Sequence, residues 1–367
     1  MKKFAAVLLV LIICAGVCSC GQKSDPQAQS TTQATTSPAK KVADVSEIKK
    51  RLKLENFRGS ALVTKDSKPL MKLNSGKTAV KKGSPITENT AFCVASVTKQ
   101  FTAVAVLQLK EKGLLSLDDT IDLYFPDYKL GKKNTIHNLL SMRSGIPDYI
   151  YEDNKTKKKF GVRSKHDYKQ NRKGIEKWIL SQKLVFEPGK DYQYSNSNYF
   201  LLAAIIEQVS GMGWGKYVRT HFFNPLGMTR SGFLETYKIS KKTFALPIKG
   251  KSAEFMNIKG AMFGTANIVS TASDLEKWLD AVEFGKLISD ESVQQMTTSY
   301  THDPDRSYGY GYGLMLSDND VFYTTGAITS YNAFAAIDRT THHHVILLTN
   351  YSSDVAFLGR DILPKIG

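Results

Sequence analysis

Ser96-Val97-Thr98-Lys99 opens an apolar segment that runs from Phe101 to Leu109. On a helix, residues three apart lie on one face about a turn from each other, so this hydroxyl and this amine can share a hydrogen bond. Serine is a poor nucleophile until a base takes its proton, and lysine serves when burial or a second cation keeps it neutral. At a helix start the free N–H groups and the positive dipole end favour the negative charge that then develops. Spacing alone does not decide the matter, because Ser37-Pro-Ala-Lys40 and Ser46-Glu-Ile-Lys49 share it. The first lies in a polar tract and the second in a short charged segment, whereas only Ser96 precedes a helix apolar enough to be the centre of a domain. A helix-capping serine beside a surface lysine gives the same pattern.

Acyl transfer by such a pair also needs a proton shuttle, a group to hold the substrate and N–H donors for the oxyanion. Tyr194-Ser195-Asn196 offers the first two, in a loop between Glu187-Pro-Gly189 and an apolar helix from Tyr199. Tyrosine relays protons, and an asparagine amide both donates and accepts. The competing reading is an N-cap, with Asn196 or Ser197 starting the next helix. Tyr323-Thr324-Thr325-Gly326-Ala327 is the candidate for a strand edge whose glycine lets backbone approach a ligand. A Thr/Gly turn between two strands is the alternative.

These residues sit in a chain of 367 residues with a formal net charge of +16. Its start, Met1-Lys-Lys followed by an apolar run from Phe4 to Val17, has the order of a signal peptide and is short for a membrane span. Val17-Cys18-Ser19-Cys20-Gly21 resembles a bacterial lipobox with Cys20 as the lipidated residue; ordinary cleavage to a soluble secreted protein is the alternative. Two acyl chains on Cys20 would anchor the chain stably. Cys93 is then the one cysteine of the mature domain, which excludes an internal disulfide; its apolar setting predicts a buried side chain. The expected organisation is a signal peptide over 1–20, a polar tether over 21–44 and a folded body over 45–367. Basic residues cluster at Lys155, Lys157, Lys158 and Lys159, then Arg163, Lys165, Lys169, Arg172 and Lys173. For an exported protein they suit anionic headgroups or phosphate-rich wall polymers. No motif points to nucleic acid.

The elements that must position the candidate residues can be read from the pattern. Gly59–Thr64 and Pro69–Leu73 read as a hairpin, and the helix from Ser96 ends near Lys112-Gly113. Helices are predicted over 135–141, 174–182, 199–209 and 274–284. Short strands follow over 308–314, 320–323, 332–337 and 344–349, with a returning helix from Val355. Strands at both ends and helices between them predict an α+β fold, an α/β sandwich. Its antiparallel sheet is flanked by helices and carries an inserted all-α subdomain over roughly 115–265.

The combination resembles the serine β-lactamase and penicillin-binding-protein superfamily, in its class C β-lactamase, D-alanyl-D-alanine carboxypeptidase and esterase branch. The likeness runs from Gly59 to Asn350. It is carried by Val94-Ala-Ser-Val-Thr-Lys-Gln-Phe-Thr-Ala103, Gly113-Leu-Leu-Ser-Leu-Asp-Asp119, Leu139-Leu-Ser-Met-Arg-Ser-Gly-Ile-Pro-Asp-Tyr149 and Phe186-Glu-Pro-Gly189 through Tyr199. Asn224-Pro-Leu-Gly-Met228 and Gly309-Tyr-Gly-Tyr-Gly313 complete it. The resemblance implies Ser96 as nucleophile, Lys99 as its activator and Tyr194 as the base that also protonates the leaving group. Asn196 would bind substrate, the backbone N–H groups of Ser96 and Ala327 would form the oxyanion hole, and no cofactor is implied. In the third motif, Thr324-Thr325-Gly326, Thr324 stands where the family usually has Lys or His. A cation there helps hold a substrate carboxylate, so the exchange points to a neutral acyl ester.

The expected function is an exported, lipid-anchored serine hydrolase on the outer face of the membrane. It would form an acyl-enzyme at Ser96 and act on D-alanyl esters or peptides of peptidoglycan or teichoic acid, as an esterase, amidase or D,D-carboxypeptidase. The alternatives are a catalytically weak penicillin- or wall-binding lipoprotein, or a β-lactamase. The nucleophile elbow Gly-x-Ser-x-Gly does not occur. His342-His343-His344 is read as an exposed strand position, because neighbours on a strand face opposite ways and make a poor metal site. His137 is read as structural.

Overall fold

Strands covered on both faces lose the alternation of apolar and polar residues, and the middle of this sheet shows it. In a computed structural model that describes residues 45–365 apart from 164–165, 239, 241, 249–259, 302–307 and 318–319, β1 (Gly59–Lys65) is buried up to its last residue. The hairpin continues into β2 (Lys68–Ser75), which is mostly exposed and forms an edge. After β3 (Phe92–Cys93), β4 (Gly232–Phe233) and β5 (Ile268–Ser270), the chain adds β6 (Gly309–Tyr310), β7 (Met315–Ser317), β8 (Val321–Ile328), β9 (Tyr331–Asp338) and β10 (His343–Thr349). Seven of these make one sheet in the order β2-β1-β10-β9-β8-β7-β6. Every adjacent pair is antiparallel, with Leu62 opposite Ile346 and Thr324 opposite Ala335.

The two faces are covered by different helices. Val63, Val345 and Leu347 point toward α1 (Val45–Leu54) and a C-terminal helix at Val355–Ile362. Leu62, Ile346 and Leu348, one residue out of phase, point into the larger core of Phe101 and Trp278, as the period-two geometry of a strand demands. Phe101 belongs to α2 (Thr98–Glu111), whose residues from Thr98 to Leu107 are all buried. A helix apolar all round belongs at the centre of a fold.

Further helices are α3 (Ile136–Leu140), α4 (Asn154–Lys159), α5 (Tyr168–Ser181), α6 (Asn196–Ser210), α7 (Trp214–Val218), α8 (Ala272–Glu283), α9 (Asp290–Met296) and, last, α10 (Val355–Ile362). A small antiparallel sheet, β3-β5-β4, ties the approach to Ser96 to the segment before α8. Between Leu115 and Thr265 the described chain consists of helices, turns and the two-residue strand β4.

The expected element boundaries shift in four places. The helix expected at 174–182 starts at Tyr168, where Asp167 accepts from Gln170 N as its cap. The strand expected at 308–314 shrinks to the two residues of β6, and β7 begins only at Met315. The strand expected at 320–323 continues to Ile328, so Thr324 to Ala327 lie in a strand rather than a turn. Ser96 lies on a single 3-10 turn, Ala95–Val97, just ahead of α2. The chain from Lys41 to Gly367 forms one compact unit. The expected signal peptide, Cys20 and the tether over 21–44 lie outside the described residues.

Candidate active site

Ser96 is presented by a strained turn. Val94 N donates to Ile268 O at 3.0 Å, fixing the approach, and Ala95 then adopts φ +47. That left-handed region is unfavourable for a residue with a Cβ and recurs where geometry serves a site. No side chain caps the turn or α2, so the capping role considered for Ser96 is not realised.

Lys99 is 1% exposed. Its Nζ lies 3.1 Å from Ser96 Oγ, 2.8 Å from Asn196 Oδ1 and 3.1 Å from Thr265 O. Burial pulls its pKa down to about 7, against the opposing pull of the Asp148 charge. A neutral amine carries two hydrogens and one lone pair. The carbonyl oxygens of Thr265 and of the Asn196 side chain can only accept, which leaves the lone pair for the Ser96 hydroxyl. The arrangement is that of a base in contact with a nucleophile.

Tyr194 and Asn196 reach the site from the N-terminus of α6. Ser195, the residue before the helix, makes no capping hydrogen bond, and the helix start is stitched instead to the loop at 143–149. Ser197 Oγ donates to Pro147 O at 2.6 Å, and Ser144 Oγ donates to Asn198 Oδ1 at 2.5 Å. Asn196 Nδ2 donates to Asp148 Oδ2 at 2.7 Å. Tyr194 hydrogen-bonds with Ser96, and its ring centroid is 5.0 Å from Lys99 Nζ. Burial pushes the phenol pKa well up. Tyr194 therefore holds its proton at neutral pH, which leaves Lys99 as the group in contact with Ser96 that can accept one. The family resemblance implies a base at Tyr194, and desolvation disfavours the phenolate that this role would use at rest.

Strand β8 forms the opposite wall, with Thr325 and Ala327 facing a cavity of about 470 Å³ that also touches Ser96, Tyr194 and Asn196. Out of phase with them, Thr324 faces α2 and Gly326 faces the Ser96 turn. Thr324 Oγ1 accepts from Gln100 Nε2 at 2.8 Å and donates to Gly313 O at 3.1 Å. Gln100 Oε1 in turn accepts from Trp278 Nε1 at 2.8 Å. The Thr324 hydroxyl is thus consumed inside the fold, and the expectation that it contacts substrate is corrected. Gly326 does not line the cavity either. A Cβ there would stand 2.4 Å from Val94 O and 3.2 Å from Ser96 N, so the glycine lets β8 press against the Ser96 turn.

Among the described lining residues there is no lysine, arginine or histidine, and Ile150, Tyr151, Met262, Tyr308, Met315 and Ile328 make much of the wall apolar or aromatic. Sequence reasoning did not single out Asp148 or Gln100, which act through contacts that no local pattern announces. Cys93 is buried, and desolvation pushes its thiol up to about 12. Of the three histidines expected to be exposed, His342 is, whereas His343 and His344 are corrected at 2% and 1% exposed. His344 lies between Glu276 at 3.0 Å and Glu283 at 2.7 Å, both from α8. Among the described residues no cluster of His, Cys, Asp and Glu has the arrangement of a metal site. His137 bonds Tyr312 OH through Nδ1 at 2.7 Å and sets its ring edge on Tyr300.

A buried lysine on a serine at a strand edge, with a Tyr-x-Asn pair closing the cleft, finds its match among known proteins: the beta-lactamase family covers residues 48–363. The chain belongs to the beta-lactamase family. Members of the family are serine hydrolases. PbpX of Bacillus subtilis (strain 168) is 29% identical over 347 residues, covering 93% of this chain and 82% of its own. Protein flp of Staphylococcus aureus is 26% identical over 308 residues; the match covers 80% of this chain but only 60% of flp. Among solved structures, an octameric penicillin-binding protein homologue from Pyrococcus abyssi is 26% identical with a TM-score of 0.74, over 87% of this chain and 76% of its own. The D-amino acid amidase of Ochrobactrum anthropi SV3, at 21% identity, shares the fold with a TM-score of 0.73 over 88% of this chain and 97% of its own. The beta-lactamase-family fold of these neighbours is the same antiparallel sheet with flanking helices.

Proposed function

We propose that the chain is an exported, lipid-anchored serine hydrolase that cleaves neutral D-alanyl esters or amides carried on cell-wall polymers. The observation that carries the reading is the contact of Lys99 with Ser96, the lysine buried and close to neutral at physiological pH. In the reaction, Ser96 Oγ attacks the acyl carbonyl carbon while its proton passes to Lys99. The oxyanion is held by the N–H groups of Ser96 and Ala327. The intermediate collapses to the Ser96 ester as the leaving oxygen or nitrogen takes a proton relayed through Tyr194 from Lys99. Water then attacks that ester, giving its proton back along the same route, and Ser96 is restored.

The choice of a neutral substrate is supported by the lack of a cationic side chain among the described lining residues. Thr324 supplies none and is turned away. The choice of a phosphate-rich polymer is supported by Lys155, Lys158 and Lys159, exposed on α4. This helix follows the 149–151 turn, from which Ile150 and Tyr151 line the cavity, and Lys157 Nζ donates to Ile150 O at 3.2 Å. A polyanion resting there would have its ester substituents at the cavity mouth.

Turnover of a panel of D-alanyl esters, D-Ala-D-Ala peptides and a chromogenic cephalosporin tests the proposal. The expected order places neutral esters first and peptides with a free C-terminal carboxylate last. Preferential hydrolysis of the carboxylate-bearing peptides or of the cephalosporin would overturn it.

A further inference from the structure

Asp148, in the loop at 143–149, caps the 149–151 turn, and both of its oxygens are engaged. Oδ1 accepts from Ile150 N at 2.9 Å and Oδ2 accepts from Asn196 Nδ2 at 2.7 Å. A carboxylate can only accept, so the nitrogen end of the Asn196 amide is committed to Asp148. The oxygen end must then face Lys99, where Oδ1 stands 2.8 Å from Nζ. Thr265 O, another pure acceptor, takes the second amine hydrogen at 3.1 Å. What remains on a neutral Lys99 is its lone pair, pointed at Ser96 Oγ.

We propose that Asp148 is a positioning residue for the hydrolytic reaction, fixing the polarity of the relay Asp148–Asn196–Lys99–Ser96 so that Lys99 meets Ser96 as a proton acceptor. Without the carboxylate the Asn196 amide can turn over. Nδ2 then faces Lys99 and donates to its lone pair, and Lys99 offers Ser96 a hydrogen where the reaction needs an acceptor. Asp148 is bound to the relay by geometry, and its charge acts on it as well. The titratable side chains around Lys99 are Asp148, Tyr194 and Tyr199, the two rings with centroids 5.0 and 5.9 Å from Nζ. Of these it is Asp148 whose charge opposes the effect of burial on the lysine.

The inference rests on acylation of Ser96, so the parent protein is measured first. Its rate of labelling by a fluorophosphonate, followed by intact mass from pH 5.5 to 9, gives an acid limb. The same is done for Asp148→Ser and Asp148→Asn. A serine still caps Ile150 N but is too short to reach Asn196, so it separates folding of the turn from control of the amide. Both variants are expected to label about tenfold or more slowly on the alkaline plateau, the scale of a misplaced base. Their acid limbs are expected to move down by about half a unit to one unit, because the charge that favours the ammonium is gone. Ser197→Ala, which cuts another tie between the same loop and α6, is the comparison for a purely structural role. It is expected to lower thermal stability and leave the acid limb in place. Parent-like plateau rates and acid limbs in folded Asp148→Ser and Asp148→Asn overturn the inference alone. Absence of any adduct on the parent protein overturns the serine-hydrolase reading, and this inference with it.

Discussion

Gly326→Ala isolates the geometric demand that β8 makes on the nucleophile. The position needs no unusual backbone conformation, so its whole cost is steric. The added Cβ would stand 2.4 Å from Val94 O and 3.2 Å from Ser96 N, both backbone atoms that cannot rotate away. Ordinary contact with a carbonyl oxygen needs about 1 Å more, and either β8 or the Ser96 turn must supply it. Overpacking of this kind costs about 1–3 kcal/mol. A displacement near 1 Å between nucleophile and oxyanion donors costs about a hundredfold in rate. The expected result is a fall of about a hundredfold in kcat for a small neutral ester, with a loss of a few degrees in Tm. The assay pairs steady-state hydrolysis with fluorophosphonate labelling, since both read the distance between Ser96 and the Ala327 N–H. A Gly326→Ala protein within about threefold of the parent in both assays would refute the claim that this glycine sets the spacing.

Other consequences can be measured alongside. His344, which burial alone would push down, is held up at about 9 by hydrogen bonds to Glu276 and Glu283. Its contribution is complete below the unfolded histidine pKa of about 6.5 and is lost as pH rises through about 9, on the order of 3 kcal/mol by linkage. Lys99, held down at about 7, contributes an opposing slope that both proteins share, so the His344 part is read as a difference: in urea melts His344→Gln should lose more stability relative to the parent at pH 6 than at pH 9.5. Thr324→Val leaves Gln100 Nε2 and Gly313 O each short of a partner inside the fold, a loss of about 1–3 kcal/mol of stability that is read as a lower denaturant midpoint. The same variant should leave KM for neutral esters unchanged, since the hydroxyl faces α2. The pH profile of kcat/KM should rise with unit slope to a midpoint near Lys99's value of about 7 and stay level through pH 9, because Tyr194 keeps its proton there.

Much of the site was legible because its parts are local. Ser96 and Lys99 are one turn apart on a segment so apolar that it had to be central, and Tyr194 precedes, and Asn196 opens, a second such helix. The glycines of Gly309-Tyr-Gly-Tyr-Gly313 also carry a reason that the structure supplies: Gly313 sits at φ +77, with room for a Cβ blocked by Lys99 O at 2.7 Å. What escaped depends on phase and distance. A one-residue shift along β8 decides whether Thr324 or Thr325 faces the cavity, and the third motif read as a string does not reveal it. Asp148 meets Asn196 across 48 positions of sequence, and its neighbours Pro147 and Tyr149 mark only a turn. The histidine run looked like a strand end in solvent because its partners, Glu276 and Glu283, lie on a helix some sixty residues earlier. The two-residue strands β3 and β4 are too short to leave a periodic signal.

The central claim is that Ser96, with Lys99 as its base, forms the covalent acyl-enzyme. Intact-mass and peptide-level analysis after fluorophosphonate treatment at pH 8 tests it most directly, using the parent protein, Ser96→Ala and Lys99→Ala. The account predicts a single adduct on Ser96 of the parent, none on Ser96→Ala, and labelling slower by a hundredfold or more, on the scale of general-base loss, for Lys99→Ala. An adduct that persists in Ser96→Ala, or parent-rate labelling of Lys99→Ala, contradicts it.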